Sequence, residues 1–168
     1  HLFGEEPNGH INIRGIFYKT GKTQSLFATT YEGVAALITK FQDEGREVYF
    51  AAGAFKDDSK GTASNVLYHK SFFIDIDCGP TKPYKSKKEG LEALVKFTVE
   101  TGLPMPTLVD SGNGIHCYWM IDQEIPYDIW KPIAMGLKDK THQLKFKTDD
   151  AVVGDGASLV RVPDTFNT

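Results

Sequence analysis

Residues 70 to 79 read KSFFIDIDCG. Phe and Ile content makes Ser71 to Asp77 a strand, bounded by Gly79-Pro80. Side chains alternate along a strand, so Asp75 and Asp77 share one face, with Phe73 behind them, while Ile74 and Ile76 point the other way. Two adjacent anions repel, and each buried one costs several kcal/mol unless it is compensated. The segment calls for a positive charge, most simply a divalent metal. Mg²⁺ and Mn²⁺ prefer carboxylate oxygens, and Mg²⁺ is commonly held by one or two carboxylates plus substrate phosphates. The plainer alternative is a strand end with two exposed aspartates, but Asp75 sits inside the apolar run.

The 168-residue chain is long enough for one core or two small modules packed together. Its 40% hydrophobic and 24% charged residues are those of a globular domain. No apolar run approaches the ~20 residues of a membrane span, and no signal-peptide pattern opens the chain. Cys78 and Cys117 are too few for a disulfide framework, so reduced thiols and a cytoplasmic setting are expected. A net charge of −3 is not that of a strongly basic nucleic-acid binder. Lysines cluster, however, at 82–88 and again at 131–147. They are solvated surface or local phosphate contacts, and net charge does not exclude the second.

HINIRGIFYK (10–19) and EVYFAAGAF (47–55) read as strands. Between them, Thr29 and Glu32 stand at capping-box spacing, with Val34, Leu37, Ile38 and Phe41 on one helical face and Gly45 as the stop. KDDSKGTASN (56–65) is turn-rich and reads as a mobile loop. A second helix starts at the Ser86/Glu89 capping box, is lined by Leu91, Leu94, Val95 and Val99, and ends at Gly102. PTLVDSG and GIHCYWMI form a hairpin. A third helix spans 127–142 with Ile129, Trp130, Ile133 and Leu137 inward, and SLVRV (158–162) is a last strand. The class is α+β, or mixed α/β.

Two further segments carry chemistry. In SGNGIHCYW (111–119), Gly112 and Gly114 permit close backbone approach to an anion, and His116 and Tyr118 share a face opposite Cys117 and Trp119. A histidine beside a glycine turn suits a phosphate donor or general acid; a tight hairpin with a satisfied histidine is the structural alternative. KTDDAVVGDGASLVRVPDTFN (147–167) supplies Asp149, Asp150 and Asp155, then Arg161, a bidentate partner for phosphate. His10, His69 and His142 read as surface or capping residues, and His1 is terminal. No Cys/His cluster has zinc-finger or ribbon spacing.

The order of these three segments resembles the archaeo-eukaryotic primase superfamily, above all the primase-polymerase domains of phages, plasmids and other mobile elements. FFIDID matches its D-x-D or D-x-E strand, GIH its histidine motif, and RVPDTFN its Arg-Val-Pro-Gly-Thr-x-Asn-like segment after a third acidic residue. The resemblance runs from about residue 10 to the end of the chain. Asp164 stands where glycine is usual, and Asp150 beside Asp149 blurs the third acidic position; spacing from Arg161 selects Asp149.

The resemblance implies a primase-polymerase catalytic core: an N-terminal module over roughly 1–70 packed on an RRM-like module over 71–168. It implies template-dependent nucleotidyl transfer to a 3′-hydroxyl, with two divalent ions (Mg²⁺ or Mn²⁺) held by Asp75, Asp77 and Asp149. His116, Ser111 and the backbone around Gly114 would contact the triphosphate, with Lys82 and Arg161 as further phosphate partners. Partners would be DNA template and primer and a dNTP or NTP. A C-terminal helical domain and a helicase module would follow in a longer protein from which this domain is excised. Two rival readings stay open. One is an inactive RRM-like nucleic-acid-binding module, though the chain lacks an aromatic RRM signature. The other is a metal-dependent nuclease or rolling-circle initiator, though the chain has no His-x-His pair.

Overall fold

The Thr30 hydroxyl accepts the backbone N–H of Gly33 at 3.1 Å and starts helix α1, Tyr31–Asp43. The cap is therefore Thr30, one residue later than the Thr29 expected from capping-box spacing. Helix α2, Lys87–Thr101, is capped by Ser86, whose hydroxyl accepts the Glu89 N–H at 3.3 Å; Gly102 ends it in the left-handed region at φ 71°. Helix α3 covers Tyr127–Gln143. Around them run β1 (His10–Ile16), β2 (Thr23–Ala28), β3 (Glu47–Phe55), β4 (Val66–Asp77), β5 (Thr107–Asp110), β6 (Gly114–Pro126) and β7 (Leu159–Arg161). In this computed structural model residues 2–165 are described; His1 and the end of RVPDTFN, Phe166 and Asn167, lie outside them.

The chain divides into two compact units. Residues up to 70, with 123–127 and those from 156 on, form the first; 71–122 and 128–155 form the second. The first unit has strand order β2-β1-β3-β4, with β7 also pairing β3. Strand β2, TQSLFA, was not expected from the sequence: it has no alternation of its own and is set by antiparallel pairing with β1, from Ile11↔Ala28 to Ile16↔Thr23. The core of this unit gathers Ile11, Ile13, Phe41, Val48 and Ala54 against the expected α1 face of Val34, Leu37 and Ile38. His69 corrects the sequence expectation. It is fully buried here, Gly53 makes room for it (a Cβ there would lie 2.7 Å from the ring), and burial pushes its pKa down to about 3.

The second unit has order β4-β6-β5. Its core holds Ile74, Ile76, Cys78, Leu94, Phe97, Cys117, Trp119, Phe146 and Val153. Both cysteines are free thiols, and burial pushes the Cys117 pKa up to about 12. Two helical faces differ from expectation. On α2 the buried residues are Gly90, Leu94, Phe97 and Thr98, while Val99 is 77% exposed and Val95 is also exposed. Gly90 sits where a Cβ would reach 3.0 Å from Ile76, so the helix approaches β4 through a residue that hydrophobic periodicity does not see. On α3 Trp130, Ala134 and Thr141 are buried, whereas Ile129 and Ile133 are exposed. Trp130 decides the face: its indole N–H donates to the Ser71 carbonyl at 2.9 Å and its ring stacks on Phe72 and Phe73. No described helix is long and apolar enough to cross a membrane.

Candidate active site

Strand alternation sets the site. Ile74 and Ile76 anchor β4 in the core of the second unit, which turns Asp75 and Asp77 to its other face. The side chain of Asp75 is 20% exposed and that of Asp77 is 36% exposed. Asp149 arrives from the turn after α3, fixed by three sets of backbone bonds. Its N–H donates to the Asp75 carbonyl at 2.9 Å, its carbonyl accepts Val152 and Val153 at 3.1 Å, and its Oδ1 accepts the Ala151 N–H at 2.9 Å. Asp150 turns away: it is exposed, its Oδ1 lies 2.7 Å from His142 Nε2, and its carbonyl accepts Lys138 Nζ at 2.6 Å. That bond to His142 holds the Asp150 carboxyl below its usual range.

Burial first, then the charges of Asp77 and Asp149, push the Asp75 pKa from the ordinary 3.8 up to about 7. Asp75 Oδ1 is buried without a hydrogen-bond partner. Lys82 supplies the nearest cation, but to Asp77: Nζ to Oδ2 is 2.8 Å. Asp75 and Asp149 feel the Lys82 charge without bonding it, and with Asp77 they form one electrostatic neighbourhood of hard oxygen donors that fits Mg²⁺ or Mn²⁺. Among the described residues no three His, Cys, Asp or Glu side chains already stand at metal-holding separation. The donors are grouped without being closed on one point, as three mutually repelling carboxylates would be.

His116 borders this group. It is 5% exposed, its Nε2 lies 4.0 Å from Asp75 Oδ1, and Tyr118 on the same face reaches its Nδ1 at 3.4 Å. Ile115, Cys117 and Trp119 face the core. The glycines also shape the hairpin itself. A Cβ at Gly114 would lie 2.5 Å from the Ile76 carbonyl oxygen, so this glycine lets β6 close on β4. The Gly112 N–H is taken by Asp110 Oδ1 at 2.8 Å, and Ser111 N–H bonds the Gly114 carbonyl at 3.2 Å. Lys87 steadies this turn by reaching both oxygens of Asp110 at 2.7 Å, a pairing 23 residues apart that no local pattern announces.

The predicted site residues Asp75, Asp77, Lys82, Ser111, Gly114, His116 and Asp149 all belong to the second unit. Arg161 belongs to the first, where it donates to the Tyr49 hydroxyl at 2.7 Å and lies 3.5 Å from Glu47. Several lysines of the basic clusters are also engaged: Lys85 caps the carbonyls of Pro80 and Lys82, and Lys131 that of Gly154.

Among solved structures, the AEP domain of the cyanophage S-2L primase-polymerase matches this chain with a TM-score of 0.59 at 16% identity. The match covers 92% of this chain and 72% of that one. The fold is AEP-like. A second structure with the same architecture is the polymerase domain of Mycobacterium tuberculosis ligase D, in complex with DNA, with a TM-score of 0.54 at 12% identity. It covers 95% of this chain and 69% of its own. No protein-family model and no curated protein matches the sequence. At these identities the likeness is one of fold, and what this AEP-like domain does is argued from its side chains.

Proposed function

We propose that the chain is the catalytic domain of a primase-polymerase, a template-dependent nucleotidyltransferase that adds nucleotides to a 3′-hydroxyl during replication of a phage, plasmid or mobile element. The observation that carries this reading is the state of Asp75: half-buried, with a buried, unpartnered Oδ1, and raised toward neutrality by desolvation first and then by Asp77 and Asp149. A strand end with two solvated aspartates would show none of these. Structural neighbours that are primase-polymerase and polymerase domains support the same reading.

In this proposal Asp75, Asp77 and Asp149 hold two divalent ions, Mg²⁺ or Mn²⁺. Bound there, the ions would supply Lewis-acid activation of the 3′-hydroxyl and neutralise triphosphate charge. Asp77 exchanges its partner Lys82, whose ammonium becomes free for a nucleotide phosphate. His116, held by Tyr118 beside Asp75, donates to the triphosphate with Ser111 and the backbone at Gly114. Arg161 is assigned to phosphate on the family resemblance alone, since Glu47 and Tyr49 engage it. DNA template, primer and a dNTP or NTP are the partners.

The test is primer extension and primer synthesis by the wild-type chain with Mg²⁺ or Mn²⁺ and each nucleotide class. Metal-dependent extension is expected. Cleavage of the labelled DNA without extension would favour a nuclease, and strand binding without either would favour an inactive RRM-like module.

A further inference from the structure

We infer that Asn12 and Arg14, on the face of β1 turned away from α1, bind one nucleotide unit of single-stranded nucleic acid, with a phosphate on Arg14 and a base edge on Asn12. This rests on the reading that the chain acts on nucleic acid, and it assigns to the first unit a contact with the template strand.

Ile11 and Ile13 face the core beneath α1, and a Cβ at Gly15 would strike the Phe41 ring at 2.7 Å. Alternation therefore puts Asn12 and Arg14 together on the opposite face. Asn12 is 0% exposed, yet neither its carboxamide oxygen nor its nitrogen has a hydrogen-bond partner. A buried amide left unpaired costs free energy, so two orphaned atoms on one side chain require a reason. A carboxamide offers one donor group and one acceptor side by side, the pattern that pairs with a base edge.

Arg14 supplies the charge. Its Nε donates to Ser25 Oγ at 2.8 Å, and among the described residues no carboxylate forms an ion pair with it. The surrounding face carries aromatic side chains and charges of both signs, with Glu47 3.5 Å from Arg161 and accepting the Tyr49 hydroxyl at 3.1 Å. Phe27 stands opposite Asn12 on β2, Tyr49 opposite Arg14 on β3, and Arg161 opposite Tyr49 on β7, with its guanidinium 4.8 Å from the tyrosine ring centroid. Phe27 packs edge-on against Phe55, so the ring and guanidinium left side by side for a base and a phosphate are those of Tyr49 and Arg14.

Gly61 covers both side chains: a Cβ there would lie 3.1 Å from Asn12 Oδ1 and 3.4 Å from Arg14 Nη2. The segment that carries it is exposed from Lys56 to Lys60 and bonded largely to itself. Asn65 Nδ2 donates to the carbonyls of Asp57 and Lys60 at 2.9 and 2.8 Å, and Ser59 N–H donates to Asp57 Oδ1 at 2.9 Å. Such a loop can lift as a piece and expose the pair beneath it.

The test is fluorescence anisotropy of a short labelled single-stranded DNA with EDTA present, so that neither metal nor chemistry contributes. Arg14→Gln keeps the stem and removes the charge; it is expected to weaken binding about tenfold and to flatten the salt dependence by about one phosphate contact. Asn12→Leu should weaken binding several-fold without lowering the melting temperature, because it removes an unpaired buried amide. Wild-type affinity in Arg14→Gln overturns the inference. So does wild-type affinity in Asn12→Leu, which would make Asn12 the seat of a buried water. A labelled mononucleotide run in parallel separates sources: loss there with intact strand binding overturns the assignment to a strand. The outcomes are independent of the proposed chemistry. If Arg14→Gln loses strand binding and the wild type extends no primer, the site stands and the polymerase reading falls; if the wild type extends primers and Arg14→Gln binds as tightly, the polymerase reading stands and the site falls.

Discussion

The backbone N–H of Asp149 donates to the carbonyl of Asp75 at 2.9 Å, tying a turn after α3 to the acidic strand. Because the backbones are joined there, the Asp149 carboxylate is carried to Asp75 and contributes to its raised pKa. Asp150, one residue on, faces His142 instead. The two neighbours should therefore behave differently toward Mn²⁺. Calorimetric titration of Mn²⁺ should show Asp149→Asn losing at least about tenfold in affinity, since an amide gives one neutral oxygen where an anion is needed. Asp150→Asn should stay within a factor of about two. The reverse ranking would make Asp150 the ligand.

Stability should depend on pH through Asp75. Its folded pKa, about 7, lies above the ordinary 3.8, so the folded state binds the proton more tightly than the unfolded chain. The resulting stabilisation is fully present below pH ~4 and is lost as pH rises through ~7, at most a few kcal/mol. In metal-free buffer, Asp75→Asn should melt higher than wild type at pH ~8 and close to it at pH ~4. A constant difference across that range would show that Asp75 titrates normally.

Gly114 is a geometric requirement. With a Cβ 2.5 Å from the Ile76 carbonyl, Gly114→Ala forces β6 away from β4 and moves His116 with it. Thermal unfolding should show a loss of about 1–3 kcal/mol, together with reduced extension. Unchanged melting would mean that β4 gives way freely at this point.

His116 lies beside Asp75 with its Nδ1 near Tyr118. His116→Ala should weaken nucleotide binding and turnover while leaving primer-template affinity within about twofold. Loss of DNA binding with normal nucleotide affinity would put His116 on the template path instead.

Strand alternation made the acidic face legible: Ile74 and Ile76 are core and Asp75 and Asp77 are not. The α2 and α3 faces were less legible, because Val95, Val99, Ile129 and Ile133 also satisfy helical spacing. What selects the buried face is tertiary: Gly90 admits β4, and Trp130 bonds Ser71. The burial of His69 and Asn12 depends on Gly53 and Gly61, distant glycines that make room or cover, and no local pattern encodes it. Lys82 is a similar case. Its charge was visible, but its 2.8 Å pairing with Asp77 needed the fold of the Gly79–Tyr84 turn, where Gly79 N–H bonds the Tyr84 carbonyl at 2.8 Å.

The most direct test of the central claim is primer extension by Asp75→Ala and Asp77→Ala beside wild type, with Mg²⁺ and with Mn²⁺. Each variant is expected to fold, since it removes one of two repelling carboxylates, and to lose nucleotidyl transfer by at least about two orders of magnitude with both metals. Folded Asp75→Ala or Asp77→Ala protein that extends primers at the wild-type rate would contradict the assignment of this site.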